Sequence, residues 1–333
     1  MKKLARRGGR VLVAMSGGVD SSIVAALLKN RGYDVVGVFM RMHKNSNAKD
    51  AKIVAQKLKI PFYVLDVQKE FKKKVVDYFI DEYKKGNTPN PCVMCNKHIK
   101  FKFLIDKAME LGADYVATGH YAKIKSSKLL VAKDKQKDQS YFLWKLDQKQ
   151  LNKVLFPLSD YTKERVRELA KKFKLPVYKK PDSQEICFIN DLNNFLRQNI
   201  KTKTGDIITV DGKKMGEHKG LIFYTIGQRK GIEIGGIGPF YVVKKDFKKN
   251  ILIVSKNEKD LMQKELIIKD VNWLSGKQYN GKCKVKIRST TKAQDATIKG
   301  NKIIFKKSQR AITSGQSAVF YLGSELIGGG IID

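Results

Sequence analysis

A short glycine- and serine-rich segment has the composition of a phosphate-binding loop. The segment reads Ser16-Gly17-Gly18-Val19-Asp20-Ser21-Ser22. It follows a strand pattern over Arg10–Ala14 and leads into a helical pattern over Ser21–Lys29. Glycines let backbone N–H groups turn toward an anion, serines add hydroxyl donors, and a helix N-terminus favours negative charge. The segment therefore predicts a phosphate cradle that is neither a Walker A loop nor a dinucleotide fingerprint.

The cysteines form a second group of residues with chemical potential. They are Cys92, Cys95, Cys187 and Cys283. In a cytosolic chain of this length they are not expected to form a disulfide framework. The C-x-x-C made by Cys92 and Cys95 is compatible with redox chemistry, with half of a metal site, or with chance. For Cys283 we predict an inert, buried thiol.

Strand and helix patterns alternate in the N-terminal half. The predicted strands are Arg10–Ala14, Val35–Met40, Pro61–Asp66 and Asp114–Thr118. The predicted helices are Ser21–Lys29, Ala48–Leu58, Glu70–Lys84 and Ile99–Leu111. A predicted loop, Gly86–Lys97, holds the C-x-x-C. Continuous apolar strands alternating with helices indicate an α/β fold with a parallel sheet covered on both faces.

The pattern changes after about residue 200. The last helical patterns are Thr162–Lys174 and Asp191–Asn199. Short strand patterns separated by turn residues follow, at Ile251–Val254, Lys284–Ile287, Lys302–Phe305 and Ala318–Tyr321. We therefore predict a catalytic domain over 1–198, a small central domain over 199–258 and a C-terminal β-barrel over 259–333.

The charge of the chain suggests a polyanionic partner. Its 333 residues include 67 Lys and Arg against 32 Asp and Glu, a net charge of +35. Nucleic acid is the usual reason for such an excess, although a lysine-rich proteome would also produce it. No apolar run approaches the roughly 20 residues of a membrane-spanning helix, and the first residues lack the apolar core of a secretory signal. We expect a cytoplasmic protein without a membrane partner.

The loop at Ser16–Ser21 resembles the pyrophosphatase loop (PP-loop) of the N-type ATP pyrophosphatases. Those enzymes split ATP into AMP and pyrophosphate and usually adenylate a carbonyl oxygen. The resemblance implies that ATP is the cosubstrate and that Asp20 helps to hold Mg²⁺. The ATP-binding residues that it implies are Ala14, Met15, Ser16, Gly17, Gly18, Val19, Asp20, Ser21, Met40 and Gly119.

Further motifs, in order along nearly the whole chain, resemble those of the tRNA 2-thiouridylase family. They are Thr88–Lys97, Ile99–Phe101, Gly119–Ala122, Lys137–Leu143, Asp182–Ile189, Gly216–Gly220, Tyr224–Gly231, Arg310–Ile312, Gly315-Gln316 and Gly328–Gly330. The resemblance implies ATP-dependent thiolation of the wobble uridine of tRNA at C2. It also implies a PP-loop domain, a small central domain and a C-terminal β-barrel.

The implied chemistry accounts for the residue types. Oxygen at C2 of uridine is a poor leaving group until adenylation converts it into AMP. By the resemblance, Cys187 carries the incoming sulfur as a persulfide, and Cys95 releases it and ends in a catalytic disulfide with Cys187. A helix predicted to begin near Asn96–Lys100 would place Cys95 at its N-terminus and lower the pKa of that thiol.

Cys92 departs from the common family pattern, because many members have Asp at that position. Cys92, Cys95 and Cys187 would also suit an iron–sulfur cluster, or zinc with His98 or His120 as a fourth ligand. We prefer the persulfide interpretation, in which Cys92 is a neutral replacement and no metal is bound by the cysteines.

The resemblance also implies contacts with the anticodon region of tRNA. The residues concerned are Asn90, Pro91, Cys92, His120, Lys137, Asp138, Gln139, Arg288, Ser289 and Gln316. Tyr141 and Phe142 are interpreted as core packing in preference to base stacking. A cysteine desulfurase or a sulfur carrier is the expected sulfur donor.

Two other functions fit parts of the sequence. A synthetase that adenylates and then adds an amine would share the loop, but amination needs no thiol. A non-catalytic basic RNA-binding protein would explain the charge, but it would not need an ATP loop.

Overall fold

The first part of the molecule is built on a parallel sheet. The computed structural model describes residues 9–182, 186–232, 234 and 238–333. The sheet consists of β1 (Arg10–Ala14), β2 (Asp34–Arg41), β3 (Phe62–Asp66), β4 (Tyr115–Ala117) and β7 (Val154–Leu155). The strands lie in the order β3-β2-β1-β4-β7, and each neighbouring pair is parallel. The predicted α/β class is confirmed.

Helices cover the sheet. They are α1 (Val19–Asn30), α2 (Lys49–Lys57), α3 (Gln68–Phe71), α4 (Asp77–Lys84), α5 (Pro91–Cys95), α6 (Leu104–Glu110), α7 (Gln148–Lys153), α8 (Lys163–Lys172) and α9 (Leu192–Asn199). Two π-helical segments, Lys72–Val76 and Asn96–Phe103, join α3 to α4 and α5 to α6. In the described part of the chain, no helix is long and apolar enough to cross a membrane.

The predicted loop at Gly86–Lys97 is wrong in its second half. Helix α5 begins at Pro91, because Pro favours the first helical position and the Asn90 side chain accepts a hydrogen bond from the Cys92 backbone N–H. The helical run continues from Pro91 to Glu110 through the π-helical segment. Both cysteines of the C-x-x-C therefore lie on a helix.

A small sheet forms the central part. Its strands are β8 (Gly205–Thr209), β9 (Lys214–His218), β10 (Tyr241–Asp246) and β11 (Ile251–Ser255), in the order β10-β11-β8-β9. His218 is fully buried, and its Nε2 lies 3.1 Å from the Asn250 carbonyl oxygen. His218 thus serves the structure of this part.

Six antiparallel strands close into the predicted C-terminal barrel. They are β12 (Met262–Trp273), β13 (Gly281–Lys286), β14 (Gln294–Lys299), β15 (Lys302–Arg310), β16 (Ser317–Leu322) and β17 (Glu325–Ile332). Pairing of β12 with β17 completes the closure. The hairpin β5 (Lys123–Lys125) and β6 (Lys128–Leu130) of the first part extends this sheet through β17. Cys283 packs in the apolar interior of the barrel, as predicted.

Candidate active site

The glycine- and serine-rich loop lies between β1 and α1, at the carboxyl edge of the sheet. Gly17 has a φ of +77°, a conformation that glycine adopts without strain. Gly18 is the N-cap residue of α1. Since an α-helix N-terminus presents free N–H groups, the loop and helix together form an anion-binding geometry.

Side chains of the loop hold its own shape. The Ser21 hydroxyl accepts a hydrogen bond from the Ser16 backbone N–H at 3.1 Å and donates to the Gly18 carbonyl at 3.2 Å. Lys180, from outside the loop, donates to the Gly17 carbonyl at 3.3 Å and pairs with Asp50 at 2.6 Å. The cradle is therefore fixed by these internal contacts.

Gly119 approaches the loop from the end of β4. A Cβ atom built on Gly119 would lie 3.0 Å from the Ser21 backbone nitrogen and 3.1 Å from the Asp20 Cβ. Both values are shorter than an ordinary carbon contact. Only glycine therefore lets the end of β4 lie this close to the start of α1.

Gly119→Ala is expected to displace the loop and to lower the kcat/KM for ATP about tenfold. The same substitution at Gly216 is a matched control, because a Cβ there meets no atom within 4 Å. Steady-state AMP formation at varied ATP measures the effect, and thermal unfolding checks that both variants fold. Equal kcat/KM values for the two variants would contradict the assigned contact.

Asp20 lies in a network of charges around the buried ammonium of Lys163. Lys163 Nζ donates to both carboxylate oxygens of Asp20, at 2.7 and 2.8 Å, and the Tyr121 hydroxyl donates to Oδ1 at 2.9 Å. The same ammonium lies 2.8 Å from Asp182. Lys163 is buried and thus bridges two carboxylates. Burial and the charge of Asp20 raise the pKa of Tyr121, which stays a hydrogen-bond donor.

Asp182 anchors the far side of this network. Lys137 and Arg167 each donate to it at 2.8 Å. Burial alone would raise the pKa of Asp182, but the hydrogen bonds from Lys137 and Lys163 lower it to about 2. Asp182 is therefore ionised at neutral pH. Sequence reasoning missed Lys163, Tyr121 and Asp182 as site residues. Tyr121 and Asp182 lay inside quoted motifs, whereas nothing in the sequence pointed to Lys163.

The cysteine site adjoins the same edge of the sheet. Cys95 is buried in an apolar cluster that includes Met40 of β2. Ala14, at the end of β1, and Phe188 pack against this cluster. The Phe188 ring lies 5.5 Å from that of Phe71, which fixes the residue after Cys187. The fold thus brings the ends of β1 and β2 close to both predicted sulfur-handling cysteines.

The expected low pKa of Cys95 is wrong. Cys95 is the last residue of α5 and not the first of a helix, so it receives no benefit from a helix N-terminus. Burial raises the pKa of its thiol to about 12, opposed by the charge of Lys100, while Cys187 and Cys92 add to the rise. Cys95 is therefore a protonated thiol in this state.

Cys187 and Cys92 are close enough to Cys95 to act on it electrostatically. Desolvation raises the pKa of the Cys187 thiol, and Lys100 acts in the opposite direction. Cys92, near the N-terminus of α5, is exposed. Cys95 and Cys187 are free thiols in this structure and form no disulfide. Of the motif around Cys187, the residues Ser183, Gln184 and Glu185 lie outside the described residues.

The described ranges contain no group of three or more His, Cys, Asp or Glu side chains arranged to hold a metal ion. His98 and His120 were the candidate fourth ligands for zinc. His120 is buried, its Nδ1 lies 2.7 Å from the Thr118 hydroxyl, and its ring packs against Phe101 and Phe156. Burial lowers the pKa of His120 well below its usual value, so the ring is neutral.

The predicted tRNA-contacting residues divide into two groups. One group lies in the N-terminal half of the chain, at the start of the cysteine-bearing helix, at His120 and at residues 137–139. Asn90 caps α5, Pro91 is buried, and the amide oxygen of Gln139 accepts from the Tyr121 backbone N–H at 3.0 Å. Asp138 accepts from the Ala132 backbone N–H and the Ser140 hydroxyl, which orders the segment after Lys137.

The other group lies on the barrel. Gln316 donates to the Thr88 carbonyl at 2.7 Å and so contacts the segment that leads to Asn90. Arg288 donates to the Ala311 carbonyl at 2.7 Å and to the Thr313 hydroxyl at 3.0 Å. Ser289, the next residue, is partly exposed. The structure therefore brings Gln316 to the N-terminal half and leaves Arg288 on the barrel itself.

The aromatic pair after Gln139 packs in the interior, as interpreted. Tyr141 is fully buried, and its hydroxyl donates to the Ser317 carbonyl at 2.9 Å. Phe142 packs edge-on against Tyr141 with ring centroids 5.3 Å apart. Tyr141 therefore ties the first part of the chain to β16 and has no free face for a base.

Known proteins resemble the chain over its full length. Residues 9–191 match a family described as "tRNA methyl transferase HUP domain", 193–256 match a "tRNA methyl transferase PRC-barrel domain", and 263–332 match an "Aminomethyltransferase beta-barrel domain". The "tRNA-specific 2-thiouridylase MnmA" of Clostridioides difficile is 47% identical, over 97% of this chain and 98% of the relative. The "tRNA-specific 2-thiouridylase MnmA 2" of Thermoanaerobacter sp. is 48% identical, with the same coverage of both chains.

Solved structures give a weaker likeness. The U34-tRNA thiolase NcsA from Methanococcus maripaludis, solved with its 4Fe-4S cluster, is 19% identical with a TM-score of 0.38. The match covers 59% of this chain and 67% of that one. At this level the likeness carries no argument about the cysteines.

Proposed function

The chain belongs to the tRNA-specific 2-thiouridylase family, and we propose that it is an ATP-dependent tRNA-uridine 2-sulfurtransferase. The observation that carries the proposal is the meeting of a PP-loop and of Cys95 with Cys187 at one edge of the sheet. Methyl transfer, which the family descriptions mention, would use neither an ATP-cleaving loop nor two thiols. The substrate is the wobble uridine of tRNA, and the products are 2-thiouridine, AMP and pyrophosphate.

The first step uses the loop between β1 and α1. Backbone N–H groups at the start of α1 and the loop serines bind the phosphates of ATP, while Gly119 leaves room for this arrangement. Carboxylates suit Mg²⁺, and Asp20, aligned by Lys163 and Tyr121, fits that role. The metal ion supplies charge neutralisation for the phosphates. The uridine oxygen attacks the α-phosphate, pyrophosphate leaves, and C2 becomes bonded to an AMP leaving group.

The second step uses the cysteines. A donor such as a cysteine desulfurase or a sulfur carrier holds the sulfur as its own persulfide. The Cys187 thiolate attacks that outer sulfur, the donor S–S bond breaks, and the donor leaves as a thiol while Cys187 becomes the persulfide. That outer sulfur attacks C2, and AMP leaves with the C2 oxygen. Loss of the Cys95 thiol proton to solvent gives the thiolate, whose attack on the Cys187 sulfur breaks the S–S bond and leaves the outer sulfur on uridine. The Cys95–Cys187 disulfide that forms is then reduced by an external thiol.

We also propose how RNA is held. The first group of contacts, around Asn90, Cys92 and Lys137, lies beside the cysteines and would surround the wobble base. Arg288, Ser289 and Gln316 of the barrel would contact the same RNA from another side. We keep the division of the chain into 1–198, 199–258 and 259–333 as part of this proposal.

Nucleoside mass analysis tests the function directly. The protein is incubated with unmodified tRNA, ATP, Mg²⁺ and a persulfide source, and the tRNA is then digested. We expect 2-thiouridine at the wobble position, formed only when ATP is present. Sulfur at another base, a methylated or aminated base, or unchanged RNA would each contradict the proposal.

A further inference from the structure

A cavity of about 510 Å³ lies where the three parts of the chain meet. The N-terminal half supplies the turn after α4, the central part supplies the end of β10, and the barrel supplies β12 and the turn before β16. The lining residues include Gly86, Thr88, Lys245, Phe247, Gln263 and Ser314. None of the residues assigned to ATP, sulfur or tRNA lines this cavity.

The walls of the cavity are joined by specific contacts. The Thr88 backbone N–H donates to the Ser314 carbonyl at 2.8 Å. A Cβ atom on Gly86 would lie 2.3 Å from the Phe247 ring, so that ring packs directly on the glycine backbone. The chain passes from Thr88 within two residues to Asn90, the N-cap of the cysteine-bearing helix. The cavity is therefore a built feature that adjoins the proposed RNA site.

Lys245 places a positive charge in this cavity. Among the described residues, no carboxylate pairs with its ammonium group, which lies 5.6 Å from the centre of the Phe247 ring. Burial lowers the pKa of Lys245 to about 8. An unpaired, partly desolvated cation lowers folding stability, so such groups occur preferentially where a ligand uses them.

The other charged groups around the cavity are compensated or exposed. Lys85 pairs with Glu82 at 2.8 Å, and Asp333 pairs with Lys269 at 2.5 Å. Lys244 is exposed to solvent. Lys245 is therefore the cation at this cavity whose charge a bound anion would neutralise. Gln263 and the Thr88 hydroxyl also line the cavity and could donate hydrogen bonds to that anion.

We propose that this cavity binds a phosphate group and that the phosphate belongs to the backbone of bound tRNA. A cavity whose partly apolar wall also carries hydroxyl and amide side chains and one unpaired ammonium suits a phosphodiester, which accepts several hydrogen bonds and carries one negative charge. RNA as the source rests on the proposed function, because the cavity adjoins the segment assigned to tRNA. The phosphate chemistry itself does not depend on thiolation.

Competitive labelling of amines tests the site without any reaction of the enzyme. Because the pKa of Lys245 is about 8, this amine is expected to react with acetic anhydride at pH 8 faster than exposed lysines such as Lys248. Micromolar tRNA should protect Lys245, as measured by peptide mass spectrometry. No protection by tRNA would overturn the proposal. If inorganic phosphate protects Lys245 and tRNA does not, the cavity binds a free anion, and the proposal that the phosphate belongs to tRNA is wrong.

Lys245→Gln is expected to weaken tRNA binding and to reduce the log–log salt slope by about one unit. Lys248→Gln removes the same charge from an exposed position outside the cavity and is the control. Lys245→Arg should restore the slope, and Lys245→Met replaces the Gln variant if that variant fails to fold. Equal slopes for the Gln variants at the two positions would overturn the proposal. ATP and sulfur are omitted, so an error about thiolation leaves the result unaffected.

Discussion

Asp20→Asn is expected to abolish AMP formation while leaving the affinity for tRNA unchanged. The loss of rate should be about a hundredfold or more, the usual effect of removing one group that stabilises charge in a transition state. The reason is that Asp20 is the acidic residue in the first turn of α1, where the phosphates of ATP would lie. The assigned RNA contacts lie outside this loop; Lys137 joins its charge network through Asp182, whose carboxylate the substitution leaves in place.

Asparagine has nearly the same shape as aspartate, so the substitution removes the charge of Asp20 and changes little else. An asparagine oxygen can still accept the hydrogen bond that the Tyr121 hydroxyl now donates to Asp20. Its amide group cannot accept from Lys163, but that ammonium keeps Asp182 as a partner. The buried lysine is therefore not left without a counter-charge, and the cost in folding free energy stays below the roughly 3–5 kcal/mol of a fully broken buried pair.

Asp160→Asn is the matched control for this prediction. Asp160 pairs with Lys123 near the surface, so the same chemical change there removes only a partly exposed ion pair. AMP release is measured by chromatography and tRNA affinity by filter binding, at one salt concentration. Parent-like AMP formation by Asp20→Asn would show that the loop carboxylate has no part in ATP cleavage.

The sequence predicted the core of the catalytic half well. Each strand of the parallel sheet that was expected, such as Arg10–Ala14, has its counterpart in the structure. Continuous apolar runs flanked by helices leave few alternatives, because such strands need cover on both faces. The phosphate cradle followed from the same logic, since its residues are contiguous.

Features that depend on distant residues were not predictable. Lys163 begins an ordinary amphipathic helix, and only the folded chain shows that its ammonium lies between Asp20 and Asp182. The prediction that the pKa of Cys95 is low was wrong for a local reason. The helix begins earlier than expected, because Asn90 caps it and Pro91 occupies its first position. The signal for that start, an Asn followed by Pro, was present in the sequence.

The barrel shows a different limit of prediction from sequence. Its strands β12, β14 and β17 were missed, although β12 and β14 alternate buried and exposed side chains in part. Lysine occupies outward positions in the missed strand β12, at Lys264 and Lys269. A strand rich in lysine resembles a solvated loop in composition, so only its pairing with neighbouring strands reveals it.

Cys187→Ser and Cys95→Ser are each expected to abolish formation of 2-thiouridine, whereas Cys92→Ser should retain it. Cys187→Ser leaves no atom to carry sulfur. The uridine of the tRNA can still be adenylated, but no thiolated base follows. Cys95→Ser leaves the sulfur on Cys187, because a hydroxyl does not attack an S–S bond. The persulfide on Cys187 should therefore accumulate in this variant and be visible by peptide mass spectrometry.

Cys283→Ala is the control for the removal of a thiol as such. Cys283 packs inside the barrel, far along the chain from the site, and burial raises the pKa of its thiol to about 12. Its replacement should leave the yield of 2-thiouridine unchanged. All four variants are compared by nucleoside mass analysis after thermal unfolding has confirmed that they fold.

Cys92→Ser decides between the two uses of the cysteines. In the persulfide route Cys92 is an exposed residue at the start of α5 that takes no part in sulfur transfer. A serine there should preserve activity. In a cluster route Cys92 would be one of three thiolate ligands, and a hydroxyl holds iron poorly. Loss of activity in Cys92→Ser, together with stoichiometric iron in the anaerobically purified parent, would replace the persulfide assignment with a metal site.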